Sequence, residues 1–185
     1  MNESDLYQYA LFMLSRRDYG KAELFSRMKR RMYEKNEGII DESLIEKALE
    51  RLSEQHFLDD DRVVALLMQG YIRKGYGPLR IKQEMRQKGF SEALVEKHFA
   101  DVDVDWFEKA ALVRSKKFGD DLPQDFKEKS KQIRYLQYRG FFGDMIYELF
   151  SWLFPDFNIN AGFLYLISYL DDEPIGIRIY FNFFF

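Results

Sequence analysis

The chain has 185 residues, no cysteine, two histidines and a formal net charge of −3. The missing thiols exclude disulfides, thiolate nucleophiles and cysteine-held metals together, and they fit a reducing cytosol. The opening Met1-Asn2-Glu3-Ser4-Asp5 lacks the basic-then-apolar build of a secretory signal.

In chain order, a first helix runs into the turn Arg17-Asp18-Tyr19-Gly20, and a second helix follows from Lys21. A third begins in the phrase Ile40-Asp41-Glu42-Ser43-Leu44-Ile45-Glu46-Lys47-Ala48-Leu49. The same succession returns. Lys74-Gly75-Tyr76-Gly77-Pro78-Leu79-Arg80-Ile81 repeats the turn and second helix, with Pro78 suited to a first helical position. Gly89 then ends that helix, and Phe90-Ser91-Glu92-Ala93-Leu94-Val95-Glu96-Lys97-His98-Phe99 repeats the phrase. A looser third copy passes Lys117-Phe118-Gly119, a longer Asp120–Asp125 insert and Gly140. It ends in Phe141-Phe142-Gly143-Asp144-Met145-Ile146-Tyr147-Glu148-Leu149-Phe150. A spacing of about 50 residues marks repeat architecture.

Each phrase is a helix start followed by an apolar stripe. Asp41 and Ser91 offer the capping oxygen, and Ile40, Phe90 and Phe141 precede it as staples. Phe142 has no such oxygen, leaving Gly143 or Asp144 for the third copy. Leu44, Ile45, Ala48, Leu49 and Leu52 define one buried face; Leu94, Val95, His98 and Phe99, and then Met145, Ile146, Leu149 and Phe150, keep its phase. The expected fold is all-α: three tandem three-helix, helix-turn-helix-like repeats in an elongated curved array. The divisions expected are 1–55, 56–105 and 106–151, with 152–185 an atypical hydrophobic extension.

Base and acid are sorted within the units. Arg16, Arg17, Lys21, Arg27, Lys29, Arg30 and Arg31 cluster in the first, then Arg73, Lys74, Arg80, Lys82, Arg86 and Lys88 in the second. Lys127, Lys129, Lys131, Arg134 and Arg139 follow in the third. Acid gathers from Asp41 to Asp61 and from Glu92 to Glu108. The pattern fits a positive surface for a polyanion or an acidic protein groove. It equally fits solvated helix faces with pairs such as Glu84 and Lys88.

Catalytic motifs fail on spacing. Gly75-Tyr76-Gly77 follows a helix and lacks the final glycine of a phosphate loop. Asp101, Asp103 and Asp105 imitate a calcium loop, but Trp106 and Leu112 occupy the glycine and terminal glutamate positions, so a linker or helix-start role is expected. His56 and His98 have no ligand spacing, and His98 replaces Ala48 at the edge of the core. No metal, cofactor or catalytic residue is expected, and the chain does not read as an enzyme.

Leu14-Ser15-Arg16-Arg17-Asp18-Tyr19, Phe57-Leu58-Asp59-Asp60-Asp61-Arg62, Gly75-Tyr76-Gly77-Pro78-Leu79-Arg80-Ile81 and Gln87-Lys88-Gly89-Phe90, in this order, resemble the signatures of the RecX family. The resemblance spans roughly Leu6 to Phe150. It implies a cytoplasmic, monomeric, non-enzymatic protein lodged in the groove of the RecA–DNA filament. There such a protein limits ATP hydrolysis, strand exchange and the co-protease activity that triggers the SOS response. Val63-Val64 departs from the family's aromatic and Ala, and Tyr33 to Ile39 lengthens the first unit. Asp59, Asp60 and Arg62 are expected to cap and brace the following helix.

Contact with RecA or DNA is expected from Arg16, Arg17, Tyr19, Lys21, Arg73, Lys74, Tyr76, Arg80, Lys82 and Arg86, with the tyrosines in exposed turns and Lys82 and Arg86 on one helix flank. An autonomous nucleic-acid-binding protein is the alternative, since a tri-helical unit with a basic second helix also describes helix-turn-helix modules. A structural adaptor for an acidic protein is a third. After Ser151 the chain turns aromatic and nearly loses its base, from Trp152-Leu153-Phe154-Pro155 to Tyr180-Phe181-Asn182-Phe183-Phe184-Phe185. Its apolar runs are shorter than the roughly 20 residues a bilayer needs. This segment is expected to be a non-homologous extension from read-through or a shifted frame; a hydrophobic docking segment is the alternative.

Overall fold

The computed structural model describes residues 1–153. Among them are nine α-helices and no strand: α1 Glu3–Leu14, α2 Lys21–Lys35, α3 Glu42–Glu54, α4 Asp60–Arg73, α5 Pro78–Gln87, α6 Glu92–Ala100, α7 Trp106–Phe118, α8 Phe126–Arg139 and α9 Gly143–Leu153. They pack in threes, each around its own core. Leu6, Leu24, Met28, Ile45 and Leu49 lie at the centre of the first core. Val64, Met68, Ile81 and Met85 hold the second, and Leu136, Phe141, Ile146 and Leu149 the third. Each such side chain contributes about 1.5–3 kcal/mol of burial, offset largely by the entropy of ordering it. None of the described helices is long and apolar enough to cross a membrane.

The recurring phrase folds for the local reasons its residues supply. Asp41 accepts from the Ser43 amide at 3.1 Å and Ser91 from the Leu94 amide at 3.3 Å, each relieving an unpaired donor of the first turn. Phe90 and Phe141, just before the helices, are buried. In the third copy α9 begins at Gly143, and the Asp144 carboxylate accepts from the adjacent Met145 amide, at 2.8 Å. Asp105 caps α7 through the Glu108 amide at 2.9 Å, so the aspartate-rich stretch before Trp106 is a helix start. The long first unit has its cause in α2, which runs on to Lys35 before the left-handed Gly38 (φ +89°) turns the chain.

Neighbouring units meet through the ends of their second helices. Neither α2 nor α5 has a side-chain cap of its own, because Gly20 and Gly77 stand at the N-cap. At the second joint, Gly77 N–H donates to the Arg139 carbonyl (2.8 Å) and Leu79 N–H to the Gly140 carbonyl (3.0 Å). The last turn of α8 thus caps the first turn of α5, end to end, and Pro78 between the two donors has no N–H to satisfy. A Cβ on Gly77 would stand 2.4 Å from the Gly140 oxygen. The first joint uses the same ends of the preceding pair, but side chains make it. Lys21 N–H donates to the Asp60 carboxylate at 2.7 Å, Arg62 pairs with Asp18 at 2.7 Å, and a Cβ on Gly89 would meet that of Ala22.

Asp60 and Arg62 therefore brace the preceding unit as well as their own helix, whose cap is Asp59. Val64 is accommodated fully buried, while Val63 borders a pocket of about 240 Å³ rimmed by Arg17, Glu23 and Lys88.

The third unit differs in what it buries. Arg114 on α7 is almost fully enclosed. Its guanidinium donates to Gln132 Oε1 at 2.8 Å, to the Gly119 carbonyl at 3.3 Å and to the Asp121 carbonyl. One cation thus holds the long insert before α8 against the core. Lys129, counted with the surface base by sequence, is buried on α8 with its ammonium over the Phe150 ring, and burial lowers its pKa. The hydrophobic extension expected from residue 152 overlaps α9, which continues through Leu153; the remaining residues, 154–185, lie outside the described residues.

Candidate functional site

The ten expected contact residues divide by environment. Arg16, Lys21, Arg73, Lys74 and Arg86 are exposed. Arg16 lies over the Phe12 ring and Lys74 over Tyr71, as long cations do when their stems cover apolar surface. Arg17, also exposed, is tied to Glu23 and stacks on Tyr19 with its guanidinium 3.7 Å from the ring centre. Arg80 pairs with Glu84 at 2.8 Å. Lys82 pairs with Glu96 at 2.6 Å and covers Phe99. Lys82 and Arg86 do share a flank of α5, yet only Arg86 stands open to solvent.

The tyrosines correct an expectation. Tyr19 is not in an exposed turn but buried in the first core, roofed by Arg17 and Arg27. The turn folds inward because its ring has apolar neighbours below and two guanidinium planes above. Tyr76 is half-buried, stacked on Tyr71 with centroids 5.6 Å apart. Glu84 also departs from its expected pairing, choosing Arg80 one turn back rather than Lys88.

A feature missed by sequence lies at the second joint. Arg80 stands over two rings at once, 5.7 Å from the centres of Tyr76 and Tyr138. Arg139 does likewise, 5.6 Å from Tyr76 and 5.1 Å from Tyr135. Both guanidinium planes are anchored, Arg80 by Glu84 and Arg139 by the Lys74 carbonyl at 2.9 Å. Tyr138 is 72% exposed, the highest value among the described large hydrophobic side chains. Its signal was present in the spacing: Lys127, Lys131, Arg134 and Tyr138 recur at helical intervals on α8, and all four are exposed.

Charges at the first joint are coupled to acidity. Partial burial works to raise the Glu23 carboxyl, but hydrogen bonds from Arg17 and Arg27 and the charges of Arg17 and Lys88 leave it below its ordinary value. A carboxyl depressed in the folded state contributes stability above its unfolded pKa, here the ordinary 4.5, and loses it as pH falls through the folded value. The thermal midpoint is therefore expected to fall between about pH 5 and pH 3, with Glu23→Gln flattening part of that slope in a pH series of melts. His98 sits at the edge of the second core with its Nε2 3.4 Å from the Asp61 carboxylate, in keeping with its place in the repeat. Among the described residues no group of three or more His, Asp or Glu side chains is gathered as for a metal ion.

Comparison with known proteins bears on the whole architecture. The profile described as the second three-helix domain of RecX matches residues 59–98, and that of its third three-helix domain matches residues 103–150. The chain is 39% identical over 146 residues to regulatory protein RecX of Acinetobacter baylyi, covering 79% of this chain and 86% of that protein. It is 37% identical over 162 residues to regulatory protein RecX of Serratia proteamaculans, covering 80% and 96%. The crystal structure of RecX from Lactobacillus salivarius superposes with a TM-score of 0.62 at 20% identity, over 82% of this chain and 96% of that one. A crystal structure of regulatory protein RecX gives 0.63 at 20% identity, over 80% and 71%. Three-helix units with separate cores, profiles matching two of them in order, and this identity along most of the length place the chain in the RecX family of regulatory proteins.

Proposed function

We propose that the chain regulates the RecA recombinase by lodging in the groove of the RecA–DNA filament, where it mainly inhibits ATP hydrolysis, strand exchange and co-protease activity. It would act so in DNA repair and SOS control, as a cytoplasmic monomer that performs no chemistry of its own. Its units would divide as 1–55, 56–105 and 106–151. The observation that carries this reading is the 39% identity to a regulatory protein RecX along 79% of the chain.

Physical support comes from where the exposed cations lie. Lys21 and Arg86 are on second helices, Arg73 and Lys74 beside the turn that precedes one, and Arg16 in the corresponding place of the first unit. Joining the units through the ends of their second helices lets one chain present such groups to successive subunits of a helical polymer. Bridging and occlusion then suffice to slow turnover.

Titration into RecA on single-stranded DNA is expected to depress ATP hydrolysis at less than one chain per RecA subunit. Arg73→Ala with Arg86→Ala is expected to weaken filament binding roughly tenfold with the melting temperature unchanged, since both cations are exposed and neither side chain makes an ion pair among the described residues. Undiminished hydrolysis at saturating protein would sink the proposal.

A further inference from the structure

We infer that the joint between the second and third units is a stacking site for unpaired bases of single-stranded nucleic acid, with Tyr138 as its open platform. The inference deepens the filament reading and depends on it only for where the strand is met.

Proteins that hold single strands without reading sequence combine a basic track for the phosphates with rings on which bases stack. Both parts are present in register. Lys131 and Arg134 precede Tyr138 on one exposed face of α8. At the end of that track the ring of Tyr138 lies against Arg80, and Arg80 in turn against Tyr76. Because Glu84 and the Lys74 carbonyl already hold Arg80 and Arg139, these guanidinium groups are fixed as planes rather than spent on phosphates. A base landing on Tyr138 would therefore extend a stack that is already assembled, with little left to order.

The chemistry favours a strand over a protein partner. The platform is built of cations and phenol rings, and Glu84 is consumed by Arg80. In a duplex each base face is covered by its neighbours, so only an unpaired base can offer one.

The test uses the full chain without RecA and a fluorescently labelled oligothymidylate of about 20 nucleotides, an abasic strand of the same length and a duplex. Tyr138→Ala is expected to weaken oligothymidylate binding roughly tenfold, while Tyr138→Phe keeps it, and the slope of log affinity against log salt is the same in all three proteins. The abasic strand is expected to bind wild type and Tyr138→Ala alike. Lys131→Ala with Arg134→Ala should instead reduce the salt slope by about 1.4. Because Tyr138 is 72% exposed, its truncation leaves the core intact, which a thermal melt verifies. Equal oligothymidylate affinity in wild type and Tyr138→Ala, or no preference of wild type for bases over the abasic strand, overturns the assignment. Loss of RecA-filament binding in Tyr138→Ala with unchanged affinity for the free strand would overturn it too, making the platform a protein contact. Failure of RecA inhibition alone would leave the strand measurement standing.

Discussion

Replacing Gly77 by Ala is expected to cost about 3 kcal/mol of stability and to release the third unit from the second. The position carries no conformational demand for glycine, since its φ is −85°. What forbids a methyl group is space. An added Cβ would lie 2.4 Å from the Gly140 oxygen, 2.5 Å from its carbon and 2.6 Å from the Phe141 nitrogen, all main-chain atoms that cannot swing aside. Relieving the clash separates the ends of α5 and α8 and removes the two amide donations to Arg139 and Gly140, each worth about 1 kcal/mol net.

The matching position in the first unit gives a built-in comparison. A Cβ on Gly20 would stand 2.7 Å from the Phe90 ring edge, a side chain able to tilt, so Gly20→Ala is expected to cost only about 1 kcal/mol. Urea titrations rank the two variants, and hydrogen exchange at the Leu79 amide should rise in Gly77→Ala alone. Equal costs would show that the end-to-end contact does not hold the units.

The second large effect is expected at Arg114. Its removal in Arg114→Ala leaves the Gly119 and Asp121 carbonyls and the buried Gln132 amide without their donor, and opens a void where the side chain crossed from α7. Stranding the buried Gln132 acceptor costs about 1–3 kcal/mol, and with the two part-buried carbonyls and the lost packing the total is about 3–4 kcal/mol. Arg114→Lys should recover little, because a single ammonium cannot reproduce a planar fork reaching three oxygens. Denaturant unfolding measures the loss. Limited proteolysis within residues 119–125 should localise it, since the insert is otherwise pinned mainly by Ser115 to Asp120 and by the Asp125 cap of α8. A double-mutant cycle with Gln132→Leu isolates the pair, and its coupling is expected to be favourable.

What could be read from sequence was local. The helix starts at Asp41 and Ser91, the helical role of Pro78 and the stops at Gly89 and Gly140 depend on a few neighbouring residues, so their chemistry sufficed. The joints depend on residues tens of positions apart. Nothing near Gly20 announces that Asp60 will cap its helix, or near Gly77 that two carbonyls of α8 will. Charge was a poor guide to exposure. Lys129, Gln132 and Leu136 share the inward face of α8 at helical spacing, but composition alone assigned the lysine to the surface. Tyr19 failed for the opposite reason, because a ring in a turn was assigned to solvent when two arginines were available to cover it. The exposure of Arg16, Lys21, Arg73, Lys74 and Arg86 was legible in the charge pattern; which cations are already engaged, as Lys82 is with Glu96, was not.

The two joints are alike in position and unlike in material, and this gives the molecule an uneven compliance. At the second, main-chain bonds between helix ends leave no rotatable link, so a load applied there passes rigidly from unit to unit. At the first, the load is carried by polar side chains, the Arg62 guanidinium on Asp18 and the Asp60 carboxylate on the Lys21 amide. Such contacts stretch and re-form, and dissolved ions weaken them. Bending should therefore concentrate near Gly20, with the second and third units moving as one lever, and added salt should soften that pivot before it affects the other.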